Sequence, residues 1–169
     1  KKPKSSIAFL EVEKTKAATK EDLHSFLLKY YVADIEFVEE VLTEDYMSNF
    51  QKLTSLDDMK KYLKRGYLLL KKRNVRTLDT SLKVGFFLQK TKQLFERKKG
   101  KKESWKNFLD ENINISYSYA HKLMHLSLFF YSFPKFHKLA ICVNTLYSKS
   151  KSIVQRMEDD EVFSTFWKN

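Results

Sequence analysis

Apolar residues recur at helical spacing along most of this chain. Leu23, Phe26, Leu27, Tyr30 and Tyr31 form one stripe, opened by a candidate N-cap at Thr19 and by Glu21 and Asp22, whose charges suit a helix N-terminus. Ile35, Val38, Val41 and Leu42 share one side of a short helix around Asp34–Leu42, and Tyr46 to Leu53 adds a further turn or two. Ser55 followed by Asp58 reads as a capping-box variant opening a helix to about Arg73, with Leu56, Met59, Leu63, Tyr67 and Leu70 inward. A helix over Leu78 to Lys98 follows, with Leu82, Phe86, Gln89, Gln93 and Phe95 at roughly helical intervals, stopped near Gly100.

The most informative stretch is Trp105 to Phe133. Trp105, Phe108 and Leu109 give a first helix one apolar face, and Asn112, Ile113, Asn114 and Ile115 interrupt it with a turn. Ser116 stands where an N-cap belongs, because its hydroxyl can accept a backbone N–H from the next helix. Ala120, Leu123, Met124 and Ser127 follow at helical spacing, and a side chain as small as Ala120 suits two steeply crossed helices. This is the pattern of a helix-turn-helix, whose second helix enters the DNA major groove. Further on, Pro134 fits the first turn of a helix to about Leu146, and Ser148 to Arg156 and Asp159 to Trp167 read as two more. The expected fold is all-α, a helical bundle containing a helix-turn-helix in its C-terminal half. Residues 1–18 read as a tail, 19–99 as an N-terminal helical region and 100–169 as the helix-turn-helix region, or the last two as one domain.

Composition supports helices. Three Gly and two Pro in 169 residues argue against a turn-rich β fold, and 43% hydrophobic content excludes a disordered chain. No apolar run reaches the ~20 residues of a membrane span, and no signal peptide is evident, so the expected location is the cytoplasm. The chain starts without Met and reads as a processed chain or a fragment. Cys142, the one cysteine, cannot form an internal disulfide; its neighbours in LAICV suggest a buried small hydrophobe rather than a nucleophilic thiol.

Charge adds a partner to the picture. The net charge is +11, but residues 1–50 hold 7 basic and 10 acidic side chains, residues 51–100 hold 15 and 4, and residues 101–169 hold 10 and 7. The positive excess thus lies just before the expected helix-turn-helix, which suits phosphate binding better than scattered lysines do. Candidate base readers are Tyr117, Ser118, His121, Lys122 and His125, on the side away from Ala120 and Met124. Candidate phosphate contacts are Lys60, Lys61, Lys64, Arg65, Lys71, Lys72, Arg73, Lys98, Lys99, Lys101, Lys102 and Ser116. Double-stranded DNA is the expected partner, bound by a homodimer, with no membrane and no cofactor.

Other chemistries are weaker. His121 and His125 have a metal-compatible spacing, but Lys122 stands where a zinc-protease glutamate would be, and no third ligand is near. The acidic pairs Glu39-Glu40, Glu44-Asp45 and Asp57-Asp58, and the run from Glu158 to Glu161, sit at helix starts or on solvent faces rather than converging as in a two-metal nuclease. Gly66, Gly85 and Gly100 are isolated, so no phosphate-cradling loop exists and no enzyme is expected. The basic helix after Ser55 could also lie on a membrane surface, but no lipidation signal accompanies it. Phe129, Phe130 and Tyr131 could serve a protein partner or an oligomer contact, with core packing the default for Phe129, Phe133 and Phe136. The alternative function is a helical protein–protein module, an adaptor or secreted effector without nucleic-acid binding.

Ser116, Ser118-Tyr119-Ala120, Leu126, Pro134 and Ser148-Lys149-Ser150 together resemble the helix-turn-helix portion of plasmid-partition proteins of the ParB/KorB type. Ser104 to Phe136 is also similar to small plasmid-encoded maintenance proteins of chlamydial and Borrelia type, which share an aromatic-x-x-Phe/Leu helix, a short turn and Ser/Thr-x-x-Tyr. The resemblance covers about a third of the chain. It implies centromere-like or regulatory DNA binding in plasmid maintenance. The glycine-arginine nucleotide-binding box of that family is missing, and Leu126 to Pro134 is longer than in the family, so the resemblance implies neither CTP binding nor a sliding clamp.

Overall fold

The computed structural model describes residues 23–33, 42–72, 77–98 and 102–169. The expected tail, the Thr19 cap with Glu21 and Asp22, the Asp34–Leu42 helix apart from Leu42, and Arg73, Lys99, Gly100 and Lys101 lie outside them. The described residues are all-α. Helix α1 covers residues 23–30, followed by α2 (Glu44–Gln51), α3 (Leu56–Lys71), α4 (Asp79–Arg97), α5 (Trp105–Asn112), α6 (Tyr117–Phe130), α7 (Pro134–His137), α8 (Val143–Asp159) and α9 (Glu161–Lys168). Among them no helix is long and apolar enough to cross a membrane.

Helix α4 is the axis of the molecule. It packs most extensively against α6 and next against α3, and α8 covers the other side of α6. Its buried residues include Leu82, Val84, Gly85, Phe87, Leu88, Thr91 and Phe95. Of the positions expected along it, Leu82 and Phe95 are buried, Phe86 and Gln89 half-buried and Gln93 exposed. The buried face is wider than that stripe because α4 is held between α3 and α6.

Glycine makes the α4–α6 crossing close. A Cβ on Gly85 would stand 2.2 Å from the Leu123 carbonyl oxygen and 2.7 Å from Ser127 Cβ, so only hydrogen fits between the two backbones. One turn on, Gln89 donates to the Met124 carbonyl at 2.6 Å. Ala120, Leu123 and Ser127 are buried as expected from their spacing, and Met124 is half-buried.

The expected Pro134–Leu146 helix is corrected. It stops at His137, Lys138 forms a turn, and residues 139–142 are non-helical before α8 continues unbroken through the region expected as a separate Ser148–Arg156 helix. The backbone of this segment has other partners: Val32 N–H donates to Lys138 O at 3.0 Å, Ala140 N–H to Tyr30 O at 2.7 Å and Leu78 N–H to Leu139 O at 2.9 Å. Leu139 and Ile141 turn into the core. Tertiary hydrogen bonds and burial therefore outweigh local helix preference, and a β-branched Ile141 loses little by the exchange.

Asp79 makes a half-buried ionic junction. Its carboxylate lies 2.8 Å from His137 Nδ1 and 2.9 Å from Lys83 Nζ, which also donates to the Leu42 carbonyl at 2.6 Å. His137 Nε2 donates to Tyr131 O at 2.6 Å. Burial pushes the Asp79 carboxyl up, but the hydrogen bonds and charges of His137 and Lys83 outweigh that and hold it below the usual carboxylate range.

Two further expectations change. Ser55 caps α3 in position only, since its side chain makes no capping hydrogen bond, whereas Thr43, Ser104, Ser116 and Asp160 all do. Cys142 is exposed rather than buried: it is the N-cap residue of α8, and its Sγ lies 2.7 Å from Thr145 Oγ1. The Thr145 hydroxyl, with nearby backbone N–H groups, holds the thiol below its usual value.

Candidate nucleic-acid interface

The turn between α5 and α6 falls where the sequence places it. Ile113 closes α5 by donating to Leu109 O at 3.0 Å, and Asn114 donates to the same oxygen at 2.9 Å with φ 61°. Asn tolerates this left-handed conformation better than most residues, which lets the chain reverse without glycine. Ser116 Oγ then accepts from Tyr119 N–H at 3.2 Å and starts α6. Loss of that cap in Ser116→Ala is expected to destabilise the protein by about 1 kcal/mol in denaturant unfolding. The Ser116 hydroxyl keeps its hydrogen available for donation to an external acceptor.

Helix α6 presents only part of the expected reading set to solvent. Tyr117, Ser118 and His121 are exposed, with Tyr117 stacked along His121 at 6.5 Å between centroids. Lys122 and His125 instead turn toward α8. Lys122 donates to Asn144 Oδ1 at 3.0 Å and lies 5.6 Å over the Tyr147 ring. His125 Nε2 is 3.2 Å from Ser150 Oγ, and its ring meets Phe129 and Tyr147 at 4.9 and 5.1 Å. Burial, and then the charge of His121, push His125 below the usual imidazole value. The His121 and His125 rings stand 6.4 Å apart, and no group of three metal-ligating side chains occurs among the described residues.

The α3 cations divide into two rows. Helical geometry puts Lys60, Lys64, Tyr67 and Lys71 on one side and Lys61, Arg65, Leu68 and Lys72 about 100° away. Lys60 Nζ, 3.8 Å from Asp57, donates to Asn112 Oδ1 at 3.2 Å, tying the first row to the end of α5. Burial, and then the charges of Tyr67 and Cys142, push the Tyr119 hydroxyl up. Lys71 lies 4.6 Å over the Tyr67 ring, and Lys64 falls between the two anchored positions. In the second row, Arg65 stacks over Tyr46 of α2 at 5.1 Å and Lys61 pairs loosely with Asp58 at 3.9 Å. Lys98 and Lys102 are exposed at the end of α4 and just before α5.

The aromatic run is mostly core. Phe130, expected as a partner contact, is fully buried and stacks on Phe136 at 4.3 Å. Tyr131 stacks on Phe86 at 4.7 Å, and Phe129 is half-buried against His125. The apolar side chain that does face solvent here is Leu128, 69% exposed. Asn144 and Tyr147, which hold Lys122, were invisible in the sequence because they stand 22 and 25 residues away with no motif linking them. No protein-family model, curated protein or solved structure matches this chain.

Proposed function

We propose that this chain is a DNA-binding protein whose α5 and α6 act as a helix-turn-helix, serving plasmid or replicon partition, maintenance or transcriptional regulation. The observation that carries the reading is the Lys60–Lys64–Lys71 row of α3, tied through Lys60 to the last residue of α5, together with a serine-capped α6 whose first turn is exposed. In this mechanism Tyr117, Ser118 and His121 meet base edges in the major groove. Lys64, Lys71, Lys98, Lys102 and the Ser116 hydroxyl hold phosphates, and Asn144 and Tyr147 fix Lys122 at the edge of the same surface. A homodimer on an inverted repeat would double these contacts.

A salt titration on duplex DNA tests the proposal. Affinity should fall steeply with salt, and Lys64→Ala and Lys71→Ala should each flatten the log–log slope by about 1. Lys122→Ala should weaken binding, whereas Lys61→Ala and Lys72→Ala should change the slope little. Binding that ignores salt, or that is absent at low salt, would sink the proposal. Selection of bound sequences from random duplexes would then define the site. The exposed Leu128 favours a second reading, a helical protein–protein module; in that case Leu128→Asp, not the lysine variants, would abolish partner binding.

A further inference from the structure

Helix α9 carries a second apolar edge that stays exposed. Phe163 and Trp167 turn into the core, but Val162 is 82% exposed and Phe166, one turn on, 37%. His24 and Ser25 of α1 line an open cleft of about 450 Å³ together with Val162 and Phe166. Leu28 lies one turn beyond them on the same side of α1 and is 41% exposed. Three of the six exposed large apolar side chains among the described residues therefore flank one cleft, a sign of an interaction surface.

The two ends of this edge carry opposite charge. Glu161 opens α9 and Lys168 closes it, roughly 10 Å apart on one side of the helix, and both are exposed. Glu158 and Asp159, exposed at the end of α8, extend the acidic end. Lys135 extends the basic end: its Nζ donates to the Phe166 carbonyl at 2.6 Å and lies 3.7 Å over the Phe166 ring. The acidic end would repel a uniformly anionic partner such as nucleic acid or an anionic lipid surface. A copy of the same edge, turned about a twofold axis, brings each acidic end to a basic one.

We infer that the α1–α9 edge is the contact surface for a second copy of this chain, with the two α9 helices antiparallel across a twofold axis. Val162 and Phe166 of both subunits meet at its centre, and Glu161 lies opposite Lys168 of the partner subunit. Apolar burial drives the association, and the charged ends set its direction. The contact leaves the first turn of α6 open, because α6 meets α8 at Asn144 and Ser150 whereas α9 follows the far end of α8. Dimerisation here requires no DNA and does not depend on the proposed DNA surface.

Sedimentation velocity of the full chain, without DNA and in low salt, tests the contact from about 1 to about 300 µM. The sedimentation coefficient should climb from monomer to dimer and stop there. Val162→Asp, at a position whose exposure spares the fold, should weaken association about tenfold or more. Glu161→Lys and Lys168→Glu should each weaken it, since like charges then face one another at both ends. Equimolar mixing of these two variants should restore it, because opposite charges face one another throughout the mixed dimer. A monomer at every concentration, assembly that grows past the dimer, wild-type association of Val162→Asp, or no recovery in the mixture would overturn the interface.

Discussion

Gly85→Ala is expected to destabilise the protein by about 3 kcal/mol, although alanine is the better helix former by about 1 kcal/mol. The added Cβ would meet a backbone carbonyl, Leu123 O at 2.2 Å, and no side-chain rotation can relieve that contact. Helices α4 and α6 would have to separate, loosening the broadest interface in the fold and the Gln89–Met124 hydrogen bond with it. Gly66→Ala is the matched control. There the nearest atom is Val84 Cγ2 at 3.0 Å, the end of a side chain, so clash and helix propensity nearly cancel and the change stays within about 1 kcal/mol. Denaturant unfolding followed by circular dichroism measures both, and a Gly85→Ala protein as stable as Gly66→Ala would contradict this crossing.

Asp79→Asn should cost about 3 kcal/mol near neutral pH. The carboxylate is 21% exposed and faces both His137 and Lys83, so removing its charge leaves the Lys83 ammonium half-buried without its counter-charge and weakens the hydrogen bond to His137. The same residue gives the pH dependence. Its folded carboxyl titrates below the unfolded value of about 3.9, so its contribution is fully present above pH 4 and fades as pH falls through the lower folded value. The stability gap between wild type and Asp79→Asn should therefore hold from pH 7 to about 4 and close below it. A gap that stays constant into acid would show that the variant acts by shape rather than charge.

The residues that made the turn readable are local: Asn114 for the left-handed step, Ser116 for the cap, Trp105, Phe108 and Leu109 for the first apolar face. Each works through neighbours within five positions, so spacing alone reveals it. The segment after His137 failed as a helix because Lys138, Leu139 and Ala140 pair with Val32, Leu78 and Tyr30, partners more than fifty residues away. Cys142 reads as buried from LAICV, yet it emerges to cap α8 once that segment is pulled straight.

The candidate surface shows the same division. Charge counting identified α3 as basic, but seven cations in one stretch carry no record of which face meets α5. The Lys60–Asn112 hydrogen bond decides that. Likewise Lys122 and His125 look free on a helical wheel, and α8 takes them up.

Helical periodicity, sparse glycine and the capped turn determined, in the sequence itself, that this chain is helical and where α5 ends and α6 begins. Tertiary structure decided which lysine is tied to α5, which side chains of α6 stay exposed, and where the chain after α7 leaves the helix. Local hydrogen bonds and side-chain period are written residue by residue, whereas faces and cavities exist only after distant helices have packed.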